Sequence, residues 1–429
     1  MLIFSSGLKY TSRLQSKKHH IFLILLLTAF VVCSIQANAV WVGKDYALKN
    51  IRDGIQHTRC GDTLFVDEGF YQEGNLVIDE SIFLIGINHP ILDGGNKVEI
   101  LTISAVDVVV NGFVFQNSGS SSMGDFASVK CIDCSYIYIL NNKVVNSFFG
   151  IHFSNSDHGF IKNNVIKGNP TNEQNTGNGI HVWKSSHMYI SDNEVSGHRD
   201  GIYFEFVTES LIQRNHSFEN IRYALHFMFS HQDMYIHNNF YKNGAGVAVM
   251  YSHDVSMFYN NFEKNWGSSA FGILLKEISD SKIEYNTFTE NTVGIYMEGT
   301  SRVMVTKNKF FNNGWALKIQ ASCNENQINE NNFLKNTFDV ASNGTMVLNS
   351  FTQNYWDKYE GYDLAKDGIG DVPYHPLNLY SVLVEQNPTT LILLRSFLIS
   401  ILDRAEKVIP VLTPEDLVDN KPSMNPLIL

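Results

Sequence analysis

Between Ser128 and Phe333 the chain repeats one short alternation of apolar and polar positions. Lines starting at Gly150, Gly179, Gly201, Ala224, Gly246, Gly272, Gly294 and Ala316 open GIHF, GIHV, GIYF, ALHF, GVAV, GILL, GIYM and ALKI. The second and fourth positions are apolar in every line, the signature of a strand with one buried face. Steps between the starts are 29, 22, 23, 22, 26, 22 and 22 residues. Fourteen residues after each of the first seven starts stands an asparagine: Asn164, Asn193, Asn215, Asn238, Asn260, Asn286 and Asn308. Two residues further come Ile166, Val195, Ser217, Phe240, Phe262, Phe288 and Phe310. A line from Ser128 adds Asn142 and Val144, and the eighth line drifts by one residue to Phe333.

A coil of about 22 residues is too short for a pair of helices and fits short strands joined by tight turns. The pattern predicts an all-β fold, a right-handed parallel β-helix over residues 40–356. An Asn at a fixed turn tolerates left-handed backbone and can bond its copies above and below, so the Asn column reads as a structural ladder. The Phe column reads as a stack in the core.

The ends differ from the middle. In Tyr46 to His57, Leu48, Ile51 and Ile55 share a helical face, which predicts a short helix covering the open first coil. Residues 357–386 read as a polar capping loop. Within it, Asp363, Asp367 and Asp371 with Gly368 resemble the start of a calcium-binding EF-hand loop, but an acid at the third position and a Glu at the twelfth are missing. Residues 387–429 read as an apolar helix that docks on a protein at the membrane or packs on the solenoid, followed by an extended tail. Arg395, Asp403 and Arg404 argue against a helix crossing lipid.

The first 39 residues read as a secretory signal peptide, with Lys17 and Lys18 before an apolar run from Ile21 to Ile35 and a small-x-small site at Ala37-Asn38-Ala39. Without that segment the chain holds 28 basic and 43 acidic residues. Such a balance excludes nucleic acid as the main partner. Four cysteines remain, Cys60, Cys131, Cys134 and Cys323, too few for a disulfide framework. Cys131 and Cys134 form a CxxC inside a strand repeat rather than before a helix, which points to structural cysteines.

Several strings are more specific than the repeat. Leu225-His226-Phe227-Met228-Phe229-Ser230-His231, Gly246-Val247-Ala248-Val249-Met250-Tyr251 and Asp367-Gly368-Ile369-Gly370-Asp371-Val372-Pro373 resemble the NosD family. The likeness also takes in Gly201 to Val207, Leu275 to Ser281 and the tail from Asn354-Tyr355-Trp356. The resemblance implies a periplasmic protein that helps mature nitrous oxide reductase, a copper enzyme. It implies three further partners: an ABC transporter permease with its cytoplasmic ATPase, and a copper chaperone lipoprotein. It places the protein at the inner membrane, held there through its C-terminal tail on the permease.

The third and fifth positions of each line point out of the first strand. The third column reads His152, His181, Tyr203, His226, Ala248, Leu274, Tyr296, Lys318; the fifth reads Ser154, Trp183, Glu205, Met228, Met250, Lys276, Glu298, Gln320. The only carboxylates there, Glu205 and Glu298, stand four coils apart, roughly 19 Å at about 4.8 Å per coil. Glycosidases need about 5–10 Å, so a polysaccharide-cleaving or carbohydrate-binding β-helix is the alternative rather than the leading reading. Met228 and Met250 are neighbours on one face, His226 is two residues before Met228, and Glu205 is one coil below. Thioether and imidazole suit Cu(I). With the resemblance, His226, Met228 and Met250 become the heart of a transient Cu(I) site, and Glu205, His231 and His253 its outer candidates. The role expected is hand-over rather than catalysis. The competing reading of Met228, Phe229, Met250 and Tyr251 is an apolar patch that grips a partner.

Overall fold

The computed structural model describes residues 37–120, 125–169, 176–344, 348–408 and 417–429. The leader expected over residues 1–39 lies outside them up to residue 36. The described chain is the parallel β-helix that the repeat predicts. Three sheets of 14, 12 and 13 strands run its length, and each strand pairs in parallel with its copy one coil away.

The front sheet carries the line starts. Its register joins Ile151, Ile180, Ile202, Leu225, Val247, Ile273, Ile295 and Leu317, so the second position of every line is one buried column. The apolar residues two after the ladder Asn form another column in the third sheet. Phe262, Phe288, Phe310, Phe333 and Trp356 stack there with ring centroids 4.8, 4.9, 4.9 and 4.1 Å apart. Ser217 interrupts the column, and its hydroxyl donates to the Ala224 carbonyl at 2.7 Å.

Each ladder Asn is buried and fully bonded. Asn238 Oδ1 accepts from the Asn215 backbone N–H at 2.9 Å and from Asn215 Nδ2 at 3.0 Å, while Asn238 Nδ2 donates to Ile212 O and Asn260 Oδ1. The left-handed backbone expected at these positions falls instead one residue earlier, at Asn163, Asp192, Arg214, His237, Tyr259, Tyr285 and Lys307, with φ between 51° and 57°. The physical reason is geometric. The residue that turns the chain faces solvent, and the next one must point inward to reach both neighbouring coils. A second buried ladder runs through Asn220, Asn243, Asn265, Asn291, Asn313 and Asn336.

A short helix, α1 (Ile51–His57), closes the N-terminal end. Glu73 accepts from the free backbone N–H groups of Ile51 and Arg52 at 2.7 and 2.8 Å, as a carboxylate does at a helix start. At the other end come α2 (Leu379–Gln386), a 3₁₀ turn (Pro388–Leu393) and α3 (Phe397–Val408). Tyr380, Val384 and Ile399 bury against Phe338, with Trp315, Leu391 and Leu402 around them. Lys318 of the front sheet meets Glu385 at 2.7 Å. The helices therefore lie over the last coils of the front sheet, while Ile392 and Phe397 stay 89% and 81% exposed. Among the described residues no helix is long and apolar enough to cross a membrane.

The final segment returns to the solenoid. Asp419 bridges to Phe351 and Ser423 to Tyr355. Buried Asp419 Oδ2 accepts from Asn354 N, Asn354 Nδ2 and Trp356 Nε1 at 3.0, 3.0 and 3.1 Å. In the preceding loop, Asp363, Asp367 and Asp371 accept backbone N–H groups of Gly368, Ile369 and Leu364, so these carboxylates are engaged in shaping the turn.

Candidate metal-handling site

Three neighbouring front strands, Asp200–Glu205, Tyr223–Met228 and Ala245–Met250, carry the candidate face. Their register sets Tyr203 beside His226 and Ala248, and Glu205 beside Met228 and Met250. Side chains two apart on a strand share a face, so these two columns adjoin.

His226 is only 6% exposed, which corrects its reading as an open surface ligand. Its ring lies 4.9 Å from the Tyr203 ring and 4.8 Å from that of Tyr223. The cause is the entry to the strand, where the Tyr223 ring packs on His226 and Arg222 lies over Tyr223. Arg222 is drawn there by Asp200, to which its Nε donates at 2.8 Å. His226 Nδ1 stands 3.4 Å from the same carboxylate, and Nε2 has no hydrogen-bond partner among the described residues. Burial works against the charge on Asp200, yet the Arg222 and His226 contacts hold its carboxyl at about 2. An imidazole fixed at one nitrogen by a carboxylate, with the other buried and unpaired, is the arrangement that orients metal-binding histidines.

Met228 and Met250 are half-buried and in register. The Tyr203 hydroxyl lies 3.7 Å from Met228 Sδ and donates to it. Burial and then the Glu205 carboxylate push that hydroxyl up to about 12, so it stays a donor. Lys276, next in the column after Met250, pairs with Glu298 at 3.1 Å and ends the run of soft side chains.

His231 and His253 fall in a separate group. After each front strand comes a left-handed residue, and Phe206, Phe229 and Tyr251 stack there with centroids 5.3 and 5.0 Å apart. Beyond that turn His231 and His253 stack on each other at 4.0 Å. His253 Nδ1 pairs with Asp254 at 2.8 Å, and burial followed by its neighbour His253 lowers the His231 pKa. The structure thus gathers Glu205, His226, Met228 and Met250 on the face and sets the two other histidines on the adjoining turn.

Sequence reasoning missed Asp200, Arg222 and Tyr203 as supports of this face. The available signal was that Asp200 and Arg222 stand just before the starts of neighbouring lines. It also missed Asp157, His158 and His187, whose ligand atoms all lie within 4.8 Å of one another. His231, His253 and Asp157 each stand seven residues after a line start, and that shared column pointed to the cluster.

Residues 162–361 match the family described as "Periplasmic copper-binding protein (NosD)". Over 145 residues the chain is 28% identical to the "Probable ABC transporter binding protein NosD" of Pseudomonas aeruginosa, across 34% of this chain and 29% of that one. It is 27% identical over 172 residues to the protein of the same description from Stutzerimonas stutzeri, across 36% of this chain and 39% of that one. The matches therefore span well under half the length of these curated relatives. Among solved structures, the DFA-IIIase of Arthrobacter chlorophenolicus A6 aligns with a TM-score of 0.50 at 12% identity, over 76% of this chain and 96% of that one, a likeness of fold alone. The segment 162–361, which holds every residue of the candidate face, is the part of the chain that matches the NosD family model.

Proposed function

We propose that this chain is a periplasmic accessory protein for maturation of nitrous oxide reductase. It accepts Cu(I) from a copper chaperone lipoprotein and passes it to the reductase. It does so while docked on an ABC transporter permease whose ATPase lies in the cytoplasm. The observation that carries this reading is the in-register pair Met228 and Met250 beside Glu205 and His226, within a segment of a copper-binding family. Two thioethers and one imidazole with a free nitrogen form a soft, incomplete set. Such a set suits transfer, since a closed four-ligand site would retain the ion. The apolar side chains left open on α3 and the turn before it supply the docking surface. Export by the leader over residues 1–39 belongs to the same reading.

Hydrolysis of a polysaccharide is the weaker alternative. Glu205 and Glu298 stand four coils apart in one column, and Glu298 is paired with Lys276. Calcium has no part in the proposal, because the carboxylates of the 363–371 loop accept backbone N–H groups.

The test replaces Met228 and Met250 by Leu, which keeps bulk and removes sulfur. Cu(I) affinity should fall about tenfold or more, the scale of losing one 1.4 kcal/mol contact. Reductase made beside the variants should lack copper, with permease binding intact. Full maturation by both variants would reassign the methionines to a protein interface.

A further inference from the structure

A second cluster stands on the turn edge, three coils before Met228. Asp157 opens a strand of the second sheet, and His158 follows it with φ of 52°. One coil on, Ser186 pairs with Asp157, and His187 takes the same left-handed turn with φ of 51°. The repeat thereby stacks the two imidazoles at 4.7 Å, and Tyr136 covers the other side of His158 at 4.6 Å.

Both rings aim Nδ1 at one carboxylate. Asp157 Oδ1 is 2.7 Å from His187 Nδ1, and Asp157 Oδ2 contacts His158 Nδ1. His187 Nε2 is 2.8 Å from Glu209 Oε2, one coil further. A carboxylate on the far nitrogen of a ligating histidine fixes its tautomer and orientation in metal centres. Glu209 holds that place behind His187. Ser186 Oγ donates to Asp157 Oδ1 at 2.7 Å and fixes the carboxylate too.

We propose that Asp157, His158 and His187 bind a borderline divalent cation, with Glu209 orienting His187. Two imidazoles and a carboxylate without sulfur suit Zn(II) or Cu(II), a different chemistry from the thioether face. The three side chains are part-exposed, so an ion reaches them and water completes the shell. Zn(II) takes such ligands at roughly 2.0–2.2 Å, and the ligand atoms of these three residues lie within 4.8 Å of one another. Asp157 and His158 lie outside the segment that matches the copper-binding family, so the site does not follow from that likeness. Bound there, the ion ties neighbouring coils together at an exposed turn.

The probe is Zn(II) alone, titrated into the metal-free full chain against a chromophoric competitor. One ion per chain is expected. His158→Asn and His187→Asn keep a residue that tolerates the left-handed turn. Each should weaken binding at least tenfold, and Glu209→Gln by about 10–100-fold. Met228→Leu with Met250→Leu should leave Zn(II) binding unchanged, and His187→Asn should leave Cu(I) binding unchanged. No Zn(II) uptake by the wild-type chain, or uptake that survives both histidine variants, overturns the proposal. So does loss of Zn(II) in the methionine variant, which would put the ion on the other face.

Discussion

His152, His181 and His198 show what this solenoid demands of single residues. Burial is the first cause that holds them down, to about 4, about 3 and about 4. They are neutral in the folded chain near pH 7, whereas an unfolded chain protonates its histidines near pH 6.5. Between pH 6.5 and pH 4 the unfolded state therefore binds more protons, and stability falls as pH falls. At about 1.36 kcal/mol per pH unit, each of the three costs about 2 kcal/mol on going to pH 5. Urea midpoints measured at pH 7 and pH 5 should drop accordingly, and a flat profile would refute the burial argument. The same scale explains what the sequence misjudged at His226. Period-two alternation tells which way a side chain leaves the strand. It does not tell what folds over it, and here Arg222 and Tyr223 do, drawn by Asp200. The methionine column lies farther from that turn and is less covered.

At the scale of the element, the coil is held by amides as much as by apolar columns. Spacing alone revealed the first Asn ladder and the Phe stack, because each coil repeats them at one place. The second ladder stands 19 residues after most line starts, equally regular, but polar residues near a turn look like surface until the sheets close around them. Asn238→Ala should leave the Asn215 N–H buried without an acceptor, at a cost of about 1–3 kcal/mol. Asn238→Asp keeps that acceptor but loses the donors to Ile212 and Asn260, so it should fail as well. Denaturant titration of both variants against Asn239→Ser, on the part-buried neighbouring position, checks that the loss belongs to the ladder. An equal cost at residue 239 would show that it does not.

For the whole molecule, the repeat made the β-helix legible, while the placing of the C-terminal helices was not. Residues 389–409 are apolar on more than one side, so sequence could not choose between packing on the solenoid and meeting a partner. The structure spends Ile399 and Leu402 on the coils and leaves Ile392, Phe397, Leu398 and Ile401 open. Under the proposed docking, Phe397→Asp with Ile401→Asp should preserve thermal stability and abolish co-purification with the permease. Retention of the permease at full yield would place docking elsewhere. Point changes are the cleaner test, because deleting residues 387–429 would also remove Asp419 from under the last coil.

That aspartate gives the long Asn ladder a direction. From Asn142 to Asn354 every amide-to-amide bond of the ladder runs one way, from Nδ2 to the Oδ1 of the next Asn toward the C-terminus. The column is a ferroelectric thread, with all its dipoles aligned and its positive pole at Asn354. Asp419 puts a carboxylate at that pole, as an acidic side chain does at the start of an α-helix. No single amide can reverse without setting donor against donor on one side and acceptor against acceptor on the other. The polarity written at one end is therefore enforced coil by coil along the thread, and a coil that slipped by one residue would break it at two places at once.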